Sequence, residues 1–415
     1  MGKIQNAADL ATTPARKAAL AIAKAGLQAI DTQKVVTEAI AKLDLSLENN
    51  GRLFVVAIGK CATEGMLALE KVLGDNITDA IVFDIAEGQF TRARFLLGDH
   101  PFSTTRNKNA TKHILNFLKI TTEADTVLFL ISGGGSALLC QPQGHTCESE
   151  AELIKQLFAK GVAIQELNVV RKHLSLARGG YLAQAAHPAK VISLIFSDVP
   201  GNGLDVVSSG PTAFDETTKE DAQRILEKYG LKSYAEYLVE TPKDKEYFEN
   251  VRNILVVSNK TALDAMRKKA QELGFAANVQ DDKLQGEARD VAKDIVDALR
   301  KAPAKSVLLY GGETTVTVKK PGKGGRNLEL ALSALLSIDY NELVLPVASD
   351  GLDNTEYAGA IADLLSKEHA LAKNLDAKEY LDANQSFPFF EQTGDYLLTG
   401  NTGSNVSDLI IAIKE

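Results

Sequence analysis

TVLFLISGGGS (126–136) runs an apolar, β-rich stretch directly into three consecutive glycines flanked by serines. A short run of Val, Leu, Phe and Ile without polar alternation is what a strand buried on both faces needs, as in a parallel sheet. The glycines then strip side chains from the turn, so its amides can converge on an anion. A tight turn alone needs only one or two glycines.

The same unit recurs outward from this stretch. LFVVAIG (53–59), AIVFDI (80–85), KVISLIFSDV (190–199), NILVVS (253–258), SVLLYGG (306–312) and LVLPVAS (343–349) read as further strands. Helical patterns lie between most of them, at 63–73, 105–120, 261–275 and 288–302, after helices over 14–46 that begin near Pro14. Strand–helix alternation predicts an α/β fold with parallel sheets covered by helices on both faces. TTVTVKK (314–320) and DLIIAI (408–413) are expected as edge or antiparallel strands. At 415 residues the chain exceeds the roughly 250–300 at which single cores stop growing, so two domains are expected. The charged, proline-containing ETPKDKEYFEN (240–250) is the expected linker, giving domains 1–245 and 246–415.

Composition narrows the function. The net charge is −8, from 46 basic and 54 acidic residues, with no dense basic stripe, which argues against nucleic acid as the partner. The cysteines are Cys61, Cys140 and Cys147; no CxxC pair and an odd number suit a reducing compartment. No apolar run approaches the ~18 residues of a membrane span. The first twenty residues lack a signal-peptide pattern, so the cytoplasm is expected.

Doubly wound sheets bind ligands beyond the C-terminal ends of strands, so the loops there carry the reading. Lys60, after LFVVAIG, is placed to meet a phosphate oxygen, or is a solvated lysine. Ser132, Gly133, Gly134, Gly135 and Ser136 form the anion loop. NVVRKHLSLARGG (168–180) gathers Arg171, Lys172, His173 and Arg178; if helical, it places Lys172 and Arg171 one turn from Ser175. Asp198, after VISLIF, is suited to holding Mg²⁺ or accepting a hydroxyl proton, or to stabilising a turn. SSGPT (208–212) reads as a second tight loop with Thr212 as a cap. Glu313 follows SVLLYGG. In GKGGRN (322–327), Arg326 opens a helix behind glycines, where a guanidinium can clamp a phosphoryl group. Asp350 and Asp353 in SDGLDN (349–354) suit a metal or a turn. TGNTGSN (399–405) suits a polar pocket or a turn. Neither GxxxxGK[ST] nor GxGxxG occurs, Leu138 breaks a GxSxG elbow at Ser136, and no HExxH is present. The inventory of lysine, arginine, aspartates and glycine cradles fits phosphoryl transfer, which needs positioning, cation clamps and a metal.

AIGKCA (57–62), SGGGSALL (132–139), NVVRKHLSLARGG (168–180), FSDVPGN (196–202), SSGPT (208–212), GGETTV (311–316), GGRNLELAL (324–332), SDGLDN (349–354) and TGNTGSNVSDL (399–409) together resemble, in order and over nearly the whole chain, the class II glycerate kinases, the glycerate 2-kinase or MOFRL family. The resemblance implies a Rossmann-like α/β/α N-terminal domain, a smaller α/β C-terminal domain and an active site in the cleft between them. It implies ATP- and Mg²⁺-dependent phosphorylation of D-glycerate to 2-phosphoglycerate, and such enzymes are commonly homodimers. The family's functional lysine falls on Lys60, its functional arginine on Arg326 and its acidic SDVPG position on Asp198. The SGGGS loop, with Glu313, Gly324, Gly325 and Asn327, is the expected nucleotide and phosphate site. Lys60, Arg171 and Arg326 are the expected substrate cations, and Asp198, Asp350 and Asp353 the expected metal ligands. The chain departs from the family at Asn202 for Asp, Asn354 for Gly, and Asn401 and Ser404 in the terminal motif. Two alternatives remain at this stage. Sequences of this kind also carry a hydroxypyruvate reductase label, which would need NAD(P)H and the missing GxGxxG. A non-catalytic protein that binds a sugar acid would not need the Lys–Asp–Arg set.

Overall fold

The structure is a computed structural model and describes residues 3–43, 45, 51–199, 201 and 203–415. Its backbone divides into two compact units, Thr32–Val256 and Met1–Asp31 together with Val257–Glu415.

The first unit is built on β1 (Leu53–Ile58), β2 (Asp79–Asp84), β3 (Ala93–Leu97), β4 (Thr126–Ile131), β5 (Lys190–Phe196) and β6 (Val251–Val257), which ends across the division. The order is β3-β2-β1-β4-β5-β6, and β1 to β5 pair in parallel. Every residue of β1 and β4 is buried, as their unbroken apolar runs require. Phe54, Phe83 and Phe129 meet Ile114 and Phe117 of the helix Thr105–Leu118 in the core, with Phe54 edge-on to Phe117 at 5.4 Å. Each such side chain contributes about 1.5–3 kcal/mol by leaving water. Thr104 starts that helix by accepting from the Arg106 amide, in a capping box with Asn107. The parallel order leaves the ends of β1, β4 and β5 at one rim of the sheet, with their loops beside each other.

The second unit has β7 (Ala276–Leu284), β8 (Ser306–Gly312), β9 (Glu342–Ala348), β10 (Gly359–Ala360), β11 (Tyr396–Leu397) and β12 (Asp408–Lys414). Their order is β11-β10-β9-β12-β8-β7. β7 is parallel to β8, and β12 is antiparallel to both β8 and β9. DLIIAI is therefore an antiparallel strand, central rather than edge, and buried through Ile413. TTVTVKK is not a strand; only Thr315 makes an isolated bridge, to Glu287. The polar β7 and the short β3 escaped the sequence reading because edge strands bury too little to need an apolar run.

The N-terminal helix Pro14–Ala29 belongs with the second unit, not with residues up to 245 as expected. It packs so closely on the helix Asn259–Glu272 that a Cβ on Gly26 would lie 2.7 Å from Met266. Arg16, 1% exposed, reaches Asp363 at 2.6 Å and Asp395 at 2.9 Å. Local pattern shows a helix but not which sheet it covers. The expected linker is packed too: Lys243 Nζ donates to Asp215 O at 2.8 Å, and Phe248 lies edge-on to Phe214. The cysteine count is expected to suit a reducing compartment, but Cys140 and Cys147 form a disulfide, and Cys61 is free and buried. A pair seven residues apart has no CxxC signature. Among the described residues no helix is long and apolar enough to cross a membrane.

Candidate active site

β1 and β4 deliver two loops to the same point. Gly59 has φ +108°, and a Cβ there would lie 2.4 Å from both the Ser132 carbonyl and its hydroxyl. Only glycine permits this approach. The Lys60 amide donates to Gly133 O at 3.0 Å, and the Cys61 amide to Ser132 Oγ at 3.0 Å. The Lys60 side chain consequently runs along the glycine loop, its Cγ 3.2 Å from the place of a Cβ on Gly134, next to the His100 ring. Burial pushes the Cys61 thiol up to about 12, with Asp84 and Asp198 adding to the effect, so it is an inert packing group.

After Ser132 the backbone turns through Gly134 (φ +87°) into the short helix Gly135–Leu138. Among the described residues, the amides of Gly133, Gly134, Gly135 and Ser136 donate to no protein acceptor. Four successive N–H groups of this kind after a parallel strand are what binding an anion would require. The Ser132 hydroxyl is not part of it, since it is buried, accepts from Cys61 and donates to Ile58 O. Behind the loop stand Ser208 and Ser209, both with left-handed φ of +53° and +60°. Ser208 Oγ donates to Ser132 O at 2.6 Å, and Ser209 Oγ meets Ser136 Oγ at 2.9 Å. Non-glycine residues held there are strained, and the strain is sustained by these bonds. A Cβ on Gly135 would lie 2.3 Å from Ser208 Oγ. Thr212 does not cap a helix; it links Ser193 to Asn253.

Asp198 is half-buried beyond β5. The helix of the basic segment stops at Lys172, so Ser175 is not on its face; Ser175 Oγ donates to Leu139 O instead. Arg171 lines a small cavity with Ser103, Ser136 and Glu150. Burial, then the neighbouring Arg178, pushes its pKa down to about 10. Arg178 is fully buried and pairs with Glu150 at 2.6 Å, and its Nε and Nη2 have no hydrogen-bond partner among the described residues. Lys172 is buried between Asp205 at 3.0 Å and Asp215 at 3.2 Å. His173 bonds Val239 O and Thr217, and burial lowers its pKa, so it is a neutral structural residue.

In the second unit Arg326 opens the helix Arg326–Ser337. Its Nε donates to Asp408 Oδ2 at 2.6 Å, and its Nη2 pairs with Glu313 Oε1 at 2.6 Å. Burial opposes its charge, but Asp408 and Glu313 outweigh that and hold its pKa above the ordinary value. Asp353 is 2% exposed and accepts from the Leu328 amide at 2.8 Å and Asn327 Nδ2 at 3.3 Å. Burial, then Asp408, pushes it up to about 7. Gly325 is glycine because a Cβ would lie 2.0 Å from Asp353 O, and Gly324 because one would lie 2.1 Å from Ser386 Oγ. The packing thus buries Gly325 and Asn327, leaves Gly324 half-buried against Ser386, and commits Asp353 to the helix start. Thr402 Oγ1 donates to Ser349 O at 2.6 Å and the Thr402 amide to Asp350 O at 3.0 Å, which docks TGNTGSN on SDGLDN.

Residues 18–241 match the model described as Domain of unknown function (DUF4147), and residues 306–408 match the MOFRL family. The D-glycerate 2-kinase of Thermotoga maritima is 36% identical over 96% of this chain and 98% of its own. The glycerate 2-kinase of Pyrococcus horikoshii is 34% identical over 96% of this chain and 97% of its own. The crystal structure of glycerate kinase from Thermotoga maritima has a TM-score of 0.85 and 35% identity, covering 96% of this chain and 99% of that one. The chain belongs to the glycerate 2-kinase (MOFRL) family.

Two departures from the glycerate 2-kinase pattern, Asn354 and Asn401, have physical readings. Asn354 has φ +54°, the left-handed conformation glycine takes freely and asparagine tolerates. Asn401 Oδ1 accepts from the Gly403 amide and closes its own turn. Asn202 lies outside the described residues. Sequence reading missed Asp408, which looked like an ordinary strand start, and read Ser208 and Ser209 only as part of a tight loop, without the bonds that tie them to Ser132 and Ser136. No group of three or more His, Cys, Asp or Glu side chains among the described residues is arranged to hold a metal.

Proposed function

We infer that this protein transfers the γ-phosphoryl group of ATP to the 2-hydroxyl of D-glycerate, giving ADP and 2-phosphoglycerate. The observation that carries the reading is the row of four amides, Gly133 to Ser136, that donate to no acceptor among the described residues, with the Lys60 stem alongside. The family supplies the substrate, since its named relatives are glycerate 2-kinases.

In this reading the amides and Lys60 hold the nucleotide phosphates. The glycerate 2-oxygen bonds to the γ-phosphorus as the β,γ-bridging bond breaks to ADP, and the hydroxyl proton passes to Asp198. Arg326 stabilises the charge on the phosphoryl oxygens, and Arg171 is assigned to the glycerate carboxylate with Lys60 and Arg326. Glu313, a carboxylate, repels phosphate and is assigned to ordering Arg326. Magnesium normally enters kinases on the nucleotide phosphates with one or two carboxylates; Asp350, or Asp198 in place of its role as proton acceptor, would hold it, and Mg²⁺ when bound would neutralise phosphate charge. Asp353 is withdrawn from that set by its bonds to Asn327 and Leu328. A cytoplasmic homodimer belongs to the same proposal.

The test is phosphorus NMR of protein with ATP, Mg²⁺ and D-glycerate. A 2-phosphoglycerate signal is expected; 3-phosphoglycerate would overturn the regiochemistry. NADH oxidation by hydroxypyruvate without any phosphorylated product would overturn the kinase. Arg326→Ala should lower kcat by about 10²-fold or more, and near-full turnover would remove Arg326 from the mechanism.

A further inference from the structure

An arginine at the first position of a helix is placed against the positive end of the helix dipole, so something must hold it there. Arg326 is held by Asp408, the first residue of β12 and 2% exposed. Asp408 pairs in register with Gly312 of β8 and Ala348 of β9, so its backbone is fixed from both sides. Its two oxygens meet Arg326 Nε at 2.6 Å and Nη2 at 3.3 Å, the side-on fork of a planar guanidinium on a carboxylate. Glu313, 51% exposed, meets the same Nη2 at 2.6 Å, so Nη1 is the nitrogen outside the fork, and 31% of the Arg326 side chain stays exposed.

We propose that Asp408 is a positioning residue for phosphoryl transfer: it locks the Nε edge of Arg326 to the central strand of the second sheet and so aims the outer end of the guanidinium at the transferring group. The inference rests on the assignment of Arg326 made above. Asp408 needs no contact with substrate. Its effect runs through orientation, where a misplacement of 1 Å can cost about 10²-fold in rate. A lysine in place of Arg326 has no Nε edge to lock, so the arginine is required for geometry as well as charge.

The experiment is a double-mutant cycle on the full-length protein, read as kcat and KM for ATP and glycerate. Asp408→Asn should lower kcat by about tenfold to a hundredfold with KM changed far less. In an Arg326→Ala background the same change should cost almost nothing, because the group it aims is gone. Equal losses in both backgrounds would show that Asp408 acts by holding the fold, and overturn the proposal. Asp408→Glu provides the check if Asp408→Asn does not fold: it keeps the charge and moves the carboxylate by one methylene, so the folded protein should again lose kcat. Wild-type kcat in folded Asp408→Glu overturns the proposal. Near-full turnover in Arg326→Ala itself would instead overturn the reading of Arg326, which separates the two failures.

Discussion

Gly59→Ala tests the idea that the first unit is shaped by the contact of two strand-end loops. Two costs add. An alanine must be held at φ +108°, which costs about 1–3 kcal/mol. Its Cβ would lie 2.4 Å from Ser132 O and Oγ and 2.8 Å from Gly133 O. Two of those atoms are backbone and cannot rotate away, so overpacking adds about 1–3 kcal/mol. The sum is about 2–6 kcal/mol. For a unit of this size each kcal/mol lowers Tm by about 2–4 °C, so a fall of about 4–24 °C is expected. Gly230→Ala is the control, with φ +69° and nothing within 4 Å of the new Cβ; only the left-handed backbone is penalised, at about 1–2 kcal/mol. The chain has no tryptophan, so differential scanning calorimetry is the assay, following the lower transition because two units need not unfold together. Relief of the clash must also move Gly133 away from Lys60, so kinase turnover should fall by about 10²-fold. A Gly59→Ala protein that melts no lower than Gly230→Ala and keeps its turnover would refute the reasoning.

Three further outcomes follow from buried charge and the glycine loop. Asp353 titrates near 7 in the folded chain and near 3.9 when unfolded, so the folded state binds more protons in between. The cost of burying its charge is absent below about pH 4 and is fully felt above about 7, so stability falls as pH rises through that window. Asp353→Asn should flatten this part of the stability–pH curve measured by urea unfolding, and an unchanged slope would rule Asp353 out as its source. Lys172→Met strands Asp215, which is 1% exposed, and should destabilise the first unit by about 3–5 kcal/mol; calorimetry showing no change would mean the pair is dispensable. Ser208→Ala removes the bond to Ser132 O and leaves the left-handed backbone unsupported, so KM for ATP should rise; an unaltered KM would detach this loop from the nucleotide site.

Much of this molecule is legible in one dimension because burial writes itself into composition. β1, β4 and β5 are covered on both faces over most of their length, so most of their residues had to be apolar, and the polar chemistry falls to the loops at their ends. Lys60, Arg326 and the SGGGS loop stand out for the same reason, as do the ordered motifs that mark the glycerate 2-kinase family. Edge strands such as β7 bury one face poorly and left no such mark.

The sequence alone therefore determined the α/β class, the strand-end loops and the residues worth testing. Tertiary structure decided what each of those residues touches. It sent the helix Pro14–Ala29 to the second unit through the buried Arg16 pairs. It spent Gly325 and Asn327 on packing around Asp353 and Gly324 on packing against Ser386, and set Asp408 against Arg326 across 82 positions of sequence. Periodicity reports how much of a side chain is covered, whereas the partner that covers it is chosen by long-range packing, which no local pattern encodes.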